Sequence, residues 1–215
     1  SGGKALNKAY KFRIYPNREQ EILLSKTFGC CRFLYNAMLS DKISEYKTTG
    51  KMLKNTPAMY KKEHSFLKEV DSLALANVQL HLEKAYQNFF RKPAIGFPRY
   101  KSKHRNHDSY TTNVVNGNIV LADRKLKLPK LGKVRIRQHR EIPEGYRLKS
   151  VTVSREPSGK YYASLLYEYD CSENQAAACN YETARILGID YAMHGMTVFS
   201  DELDGFYPGY LRQAM

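Results

Sequence analysis

Acidic residues are scarce in this chain, and in one stretch of fifty residues they are nearly missing. The 215 residues carry 35 Lys or Arg against 21 Asp or Glu, a formal net charge of +14. Within residues 91–140 fourteen bases face two acids, Asp108 and Asp123, a local balance of +12; elsewhere 21 bases and 19 acids nearly cancel. Charge kept for general solubility would be spread along the chain, not gathered. Phosphate is the fitting counter-charge, because each Lys or Arg that neutralises one releases condensed counterions. An anionic membrane surface competes poorly as a partner, since the basic stretch has no amphipathic helix to lie on it.

Other absences narrow the class further. No apolar run approaches the eighteen or so residues that cross a bilayer, and the N-terminus lacks the hydrophobic centre of a signal peptide. The expectation is a soluble, cytoplasmic protein without a membrane partner. Four cysteines, Cys30, Cys31, Cys171 and Cys179, follow neither a zinc spacing nor a disulfide frame, and read as reduced thiols. There is no Ser-His-Asp logic and no phosphate-cradling glycine loop. What remains, with 42% hydrophobic residues, suffices for one large or two small domains.

Along the chain, Ser1-Gly2-Gly3 reads as a tag remnant, and residues 1–7 are set aside as tag or disordered. Tyr10, Phe12 and Ile14 alternate with Lys11 and Arg13, which predicts a half-buried strand over 8–15. Asn17 can cap a helix with Glu19 and Glu21 in its first turn. Leu24, Phe28, Cys31, Tyr35, Met38 and Tyr46 recur at mostly three- or four-residue steps, and Gly29 suggests a break between two packed helices. A polar stretch over 47–62 follows, then a helical stripe of Leu75, Val78, Leu82, Tyr86 and Phe89. From Pro93 the texture turns to loops and short strands. Leu126 and Leu128, Val134 and Ile136, Val151 and Val153 alternate with polar residues, and "EPSGKYY" places a turn at Pro157-Ser158-Gly159. Several short strands suggest a small barrel or curled sheet. Residues 171–183 read as a linker, 185–190 as a strand ending in Asp190, and 195–200 as a hairpin-like return.

Chemistry-bearing residues fall into three groups. Arg91, Lys92, Arg99, Tyr100, Lys101, Lys103, Arg105 and Tyr110 interleave cations with aromatic rings, a combination in which rings stack on unpaired bases while cations follow the backbone. Phe97 and Tyr110 serve equally well as core. Lys125, Lys127, Lys130, Lys133, Arg135 and Arg137 continue the basic run through the strands. The segment "ILGIDYAMHGMTVFSD" has the look of a nuclease of the RNase H-like fold, where a strand aspartate is the first carboxylate to bind Mg²⁺ beside the scissile phosphate. A strand-terminal Asp190 that accepts local backbone hydrogen bonds is the plainer account. His194 reads as a turn residue; His104 and His107 sit among bases, near solvent or phosphate.

Seven blocks, "KAYKFRIYPNREQEILLSKTFGCCRFLYN", "ALANVQLHLEKAYQNFF", "GFPRYKSK", "SYTTN", "LKLPKLGKVRIR", "SVTVSREPSGKYYASLLYE" and "ILGID", resemble in order the N-terminal half of TnpB proteins. Small insertion sequences encode these proteins, which are related to compact type V CRISPR effectors. The resemblance implies an α+β fold: a wedge β-barrel from residues 8–16 and 94–170, a helical recognition lobe inserted at 17–93, a linker at 171–183, and the first strands of an RNase H-like (RuvC) nuclease domain at 184–215. It implies a guide RNA and double-stranded target DNA as partners, in a prokaryotic cytoplasm at the nucleoid. Base pairing supplies sequence specificity in such a system, while the protein reads a short adjacent motif.

By the same resemblance, Asp190 corresponds to the first RuvC carboxylate, a catalytic and Mg²⁺-binding residue. Adjacent-motif reading falls to Lys54, Asn55 and Thr56, to Ser72 and Asn77 beside Ala76, and to Thr112 and Asn116 beside Val115. Ala192 stands where the family usually has glycine. The remaining carboxylates and the family's zinc-ribbon cysteines are expected beyond residue 215, so these 215 residues alone are expected to bind RNA without cutting. The alternative is a nuclease-inactive relative that acts as an RNA-guided or sequence-specific DNA-binding protein, repressor-like.

Overall fold

The computed structural model describes residues 4–104 and 107–171, and the backbone of 189–192 and 195–198. The fold is α+β. Strand β1 (Lys4–Tyr15) leads into helix α1 (Arg18–Thr49), helix α2 (Pro57–Glu63), a 3₁₀ turn (Ser65–Glu69) and helix α3 (Ser72–Arg91). Strands β2 (Asp108–Asn113), β3 (Val120–Ala122), β4 (Lys125–Leu128), β5 (Gly132–Arg137), β6 (Arg147–Arg155) and β7 (Tyr161–Cys171) follow. They join β1 in one seven-stranded sheet ordered β2-β6-β7-β1-β5-β4-β3. Among the described residues β2 and β3 are edges, so the expected barrel is an open sheet here. A separate hairpin pairs β8 (Ile189–Ala192) with β9 (Gly195–Val198).

Several expectations change once tertiary contacts are counted. Residues 4–7, set aside as tag or disordered, are strand: β1 sits between β7 and β5, and ladder hydrogen bonds impose extension where side-chain alternation gives no signal. Gly29 does not divide α1. A mid-helix glycine costs about 1 kcal/mol, whereas Leu24, Phe28, Cys31, Leu34, Tyr35 and Met38 bury one unbroken stripe across it. The helix stops instead at Gly50, whose φ of 69° is the left-handed conformation that closes helices. The polar stretch holds the end of α1 and the short α2, and "SYTTN" lies in β2. The β6–β7 turn is as expected: Gly159, at φ 83°, donates its N–H to the Glu156 carbonyl at 2.8 Å.

The chain divides into two compact units. The larger holds residues 11–140 and 150–165. Its helical core gathers Leu24, Leu34, Met38, Leu39, Leu67, Leu75 and Leu82, and its sheet buries Phe12, Ile14, Leu126, Val134, Val151, Val153 and Leu165. Asn17 opens α1 through a reciprocal cap with Gln20 at 2.9 and 3.0 Å. The Gln20 amide then donates to the carbonyls of Leu131 and Lys133 at 3.2 and 2.9 Å, which ties the helix start to β5. Among the described residues, the smaller unit includes 4–10, 141–149 and 166–171. Within it Tyr146 stacks on Tyr169 with ring centroids 4.4 Å apart, and Tyr10 meets Tyr167 edge-on.

Asp71 holds α3 to β2. Only 5% exposed, it accepts the Leu73 N–H at 2.9 Å as the helix cap and also the Thr112 hydroxyl, which is fully buried. Asp71→Ala would orphan both donors, and we expect it to cost about 2 to 4 kcal/mol. Urea denaturation reads this directly; a loss of under about 0.5 kcal/mol, the scale of an ordinary surface substitution, would show that the carboxylate is dispensable.

Candidate nucleic-acid interface

The basic strands present their charge on one side of the sheet. In β4, Leu126 and Leu128 are buried while Lys125 and Lys127 are exposed; in β5, Val134 and Ile136 are buried while Lys133, Arg135 and Arg137 are exposed. Period-two alternation dictates this, since successive side chains in a strand leave on opposite faces. Two tight turns fix which residues stand opposite. Asp123 and Arg124, at φ 52° and 56°, make the β3–β4 turn, and Lys130 at φ 66° lies in the turn before β5.

The register then sets like charges against each other. Lys125 faces Arg135 and Lys127 faces Lys133 across β4 and β5, and Arg137 faces Arg13 across β5 and β1. Like charges directly opposite destabilise a sheet by a few tenths to about 1 kcal/mol per pair. Among the described residues no carboxylate forms a salt bridge with any of these six cations. Some cations elsewhere are matched by carboxylates. Arg147 bonds Asp170 at 3.0 Å and Glu168 at 3.2 Å, with Lys149 3.7 Å from Glu168, and Arg147 holds the Asp170 carboxyl below its usual range. Arg155 bonds Asp108 at 2.6 Å and Arg32 lies 3.6 Å from it, so one of the two acids of the basic stretch is taken. A face assembled from repelling pairs is stabilised by a polyanion laid across it.

Sequence reading missed two members of this face. Arg13 and Tyr15 lie on β1, outside the basic stretch, and only the β1–β5 register brings them beside Arg137 and Arg135. The Arg13 guanidinium carbon is 5.0 Å from the Tyr15 ring centroid and that of Arg135 is 5.7 Å away, so one ring meets two cations. Alternation in β1 showed that Arg13 and Tyr15 share a face; nothing local showed their neighbour.

The loop residues separate. Lys92, Arg99, Tyr100 and Lys103 are exposed, Tyr100 by 56%, and Arg91 is exposed while bonding Asn88 at 3.0 Å. Lys101 turns inward: its ammonium lies 4.4 Å from the Tyr35 ring centroid, burial lowers its pKa, and its backbone exchanges two 2.8 Å hydrogen bonds with Asn36. It anchors the loop to α1 instead of following a backbone. Tyr110, 6% exposed and packed against Phe28, has no ring face to offer a base and belongs to the core. Phe97 packs edge-on to Tyr86 and Phe89. Arg105 lies outside the described residues.

Of the residues assigned to motif reading, Asn55, Asn77 and Thr112 are buried and committed internally. The Asn77 amide donates to the Leu73 and Thr111 carbonyls and to Asn113 Oδ1, and Thr112 donates to Asp71. Asn55 donates to the Met38 carbonyl at 3.2 Å and to the Tyr60 hydroxyl at 2.8 Å. In this structure these three side chains hold elements together. Lys54, Thr56, Ser72 and Asn116 are exposed, with Ser72 opening α3 and Asn116 at φ 50° in the turn after β2.

Asp190 is the second residue of β8 and stands opposite Thr197, so the strand runs on past it to Ala192 instead of ending there. Its side chain and residues 184–188 and 199–215 lie outside the described residues, as does the linker beyond Cys171. Among the described residues no group of three or more His, Cys, Asp or Glu could hold a metal, so these residues alone do not build a Mg²⁺ site. Cys30 and Cys31 are free and buried, and burial pushes the Cys31 thiol up to about 12, which makes it inert. No described helix is long and apolar enough to cross a membrane.

Residues 6–51 match the family model described as "Helix-turn-helix domain" (HTH_OrfB_IS605). In this chain that segment is a strand and one continuous helix. The chain is 33% identical over 207 residues to a Streptomyces pristinaespiralis protein provisionally named an RNA-guided DNA endonuclease, covering 91% of this chain and 48% of that protein. It is 30% identical over 205 residues to InsQ of Escherichia coli K12, provisionally named the same way, covering 90% of this chain and 47% of InsQ. The chain thus spans about half the length of these curated relatives. Virulence protein VsdF of Salmonella dublin is 35% identical over 112 residues, 45% of this chain and 94% of VsdF. A Cas12f1 chain solved with its single guide RNA and target DNA is 12% identical with a TM-score of 0.38, over 85% of this chain and 62% of that one, a likeness too slight to carry weight.

Proposed function

The chain belongs to the TnpB family, and from that premise we propose that it is the nucleic-acid-holding part of an RNA-guided DNA endonuclease, with its basic sheet face seated on the guide RNA backbone. The observation that carries this reading is the set of like-charge pairs, Lys125 with Arg135, Lys127 with Lys133 and Arg13 with Arg137, on a face without carboxylate partners among the described residues. A protein that needed only solubility would interleave acids there, as β6 and β7 do around Arg147. The relatives' names supply the activity class.

In this reading the open sheet serves as the wedge, and α1 to α3 serve as the recognition lobe. The exposed Lys92, Arg99, Tyr100 and Lys103 extend the contact along the loop after α3, in a prokaryotic cytoplasm at the nucleoid. Exposed Lys54, Thr56, Ser72 and Asn116 remain the candidates for reading the motif beside the target, with Asn77, Thr112 and Asn55 as their scaffold. Asp190 is the proposed first carboxylate of the nuclease site in the complete protein, where Mg²⁺ would supply charge stabilisation at the scissile phosphate. One carboxylate does not hold a metal site, so no step of cleavage is assigned to these 215 residues.

The test is purification of the chain followed by sequencing of the RNA that travels with it. One defined RNA species is expected, with affinity falling steeply as salt rises; random cellular RNA in its place would reduce the face to a nonspecific one. The same preparation should leave duplex DNA intact in Mg²⁺. Guide-dependent cutting by this chain alone would overturn the assignment of cleavage to the complete protein.

A further inference from the structure

We infer that Arg13, Tyr15, Arg135 and Arg137 form a discrete phosphate site, in which one tyrosine ring holds two guanidinia ready for a single anion. The inference rests on the reading that this face takes a nucleic-acid backbone, and it names the point where one phosphate is held by geometry as well as by the general field.

Three observations converge on these four residues. The register sets Arg13 opposite Arg137 and Tyr15 opposite Arg135, so the four stand at the corners of one cell of the sheet. Such a cell measures about 4.8 Å between strands and about 7 Å between alternate residues of one strand, the scale of one phosphate group with its hydrogen-bonding shell. Next, the Tyr15 ring meets Arg13 at 5.0 Å and Arg135 at 5.7 Å, although the two cations repel each other. Attraction to the ring's π face orients both planar groups before any ligand arrives, which lowers the ordering cost of binding. Last, Nε of Arg13 is buried and has no hydrogen-bond partner, so the site contains a donor already stripped of water. Leaving a donor in that state is costly, which favours a shift of the guanidinium toward an acceptor brought by a ligand.

Residue choice supports the same division of the face. Lys127 and Lys133 occupy the next row, and Lys125 stands two strands from Tyr15 on the far side of Arg135, positions where a flexible point charge suffices. Around the ring all three cations are arginine, whose rigid fork binds phosphate oxygens in pairs and stacks on aromatic faces. The phosphate belongs either to an internal phosphodiester of the bound strand or to a terminal monophosphate.

Fluorescence anisotropy of the 215-residue chain with an RNA oligonucleotide, prepared with a 5′-phosphate and with a 5′-hydroxyl, tests the site over a salt series. Tyr15→Leu removes no charge, so the slope of log K against log salt should stay as in the wild type while affinity falls about threefold. Tyr15→Phe keeps the ring and should bind like the wild type. Arg13→Gln should lower the slope by about one and weaken binding more than Lys125→Gln, which removes one charge from the same face outside the site. Loss confined to the 5′-phosphorylated RNA identifies a terminal phosphate, and equal loss on both RNAs identifies an internal one; either supports the site. It is overturned if Tyr15→Leu matches the wild type and Arg13→Gln matches Lys125→Gln. Should Tyr15→Leu melt early, the comparison of Arg13→Gln with Lys125→Gln decides alone. Wild-type chain that binds neither RNA would instead refute the backbone-binding face itself.

Discussion

A chain carrying Lys127→Glu and Arg135→Glu should melt at a higher temperature than the wild type while binding RNA roughly a hundredfold more weakly at physiological salt. Lys127 faces Lys133 and Arg135 faces Lys125, so each substitution turns a repelling cross-strand pair into an attracting one. Such a pair changes stability by a few tenths to about 1 kcal/mol, and the gain is offset in part by loss of the Arg135 contact with Tyr15. A net gain of about 1 kcal/mol raises the melting temperature of a domain this size by about 2 to 4 °C. Binding moves the other way, because two phosphates lose a cation and meet a carboxylate. Opposite signs for stability and affinity distinguish a functional face from a structural one. A variant that melts earlier than the wild type, or binds RNA as before, would mean that the like-charge pairs have another origin.

In the complete protein, Asp190→Ala should remove target cleavage and leave guide RNA and target DNA binding as they were. Asp190 belongs to the β8–β9 hairpin, whereas the cations proposed to grip RNA belong to the seven-stranded sheet and the loop after α3. A carboxylate that ligates a catalytic cation has no substitute in a methyl side chain, and the cation supplies much of the charge stabilisation in phosphodiester cleavage. Chelation of divalent cations should reproduce the phenotype in the unsubstituted protein. Cleavage by the variant at the wild-type rate would remove Asp190 from the chemistry and leave it as a strand residue facing Thr197.

These two outcomes bear on different halves of what the family resemblance implied. The basic face can be tested on this chain, since it is complete within residues 13–137. The proposed nuclease site cannot, since Asp190 alone does not hold a metal ion. Ala192, where the resemblance implied a glycine, lies on β8 two residues from Asp190, and the Asp190→Ala measurement needs the unsubstituted protein's activity as its reference for that reason.

Local pattern alone was enough for much of the architecture. Alternation of Phe12 and Ile14 with Lys11 and Arg13, and of Leu126 and Leu128 with lysines, dictated which side chains are buried, because a strand's period is set by covalent geometry. Asn17 as a cap and the Gly159 turn follow from the same short-range rules. The concentration of charge over residues 91–140, and hence the expectation of phosphate as the partner, is a property of composition. Where two short-range signals conflicted, the reading failed: Gly29 argued for a break, and the buried stripe of α1 outweighed it. Tyr110 and Lys101 looked like binding residues because a cation or a ring in a basic run has the same sequence whether it points out or in. Only the packing of Phe28 on Tyr110 and of Tyr35 under Lys101 decided that. The cell formed by Arg13, Tyr15, Arg135 and Arg137 was likewise a matter for tertiary structure. Its two strands are separated by more than a hundred residues of chain, and their register depends on long-range pairing that no local periodicity encodes.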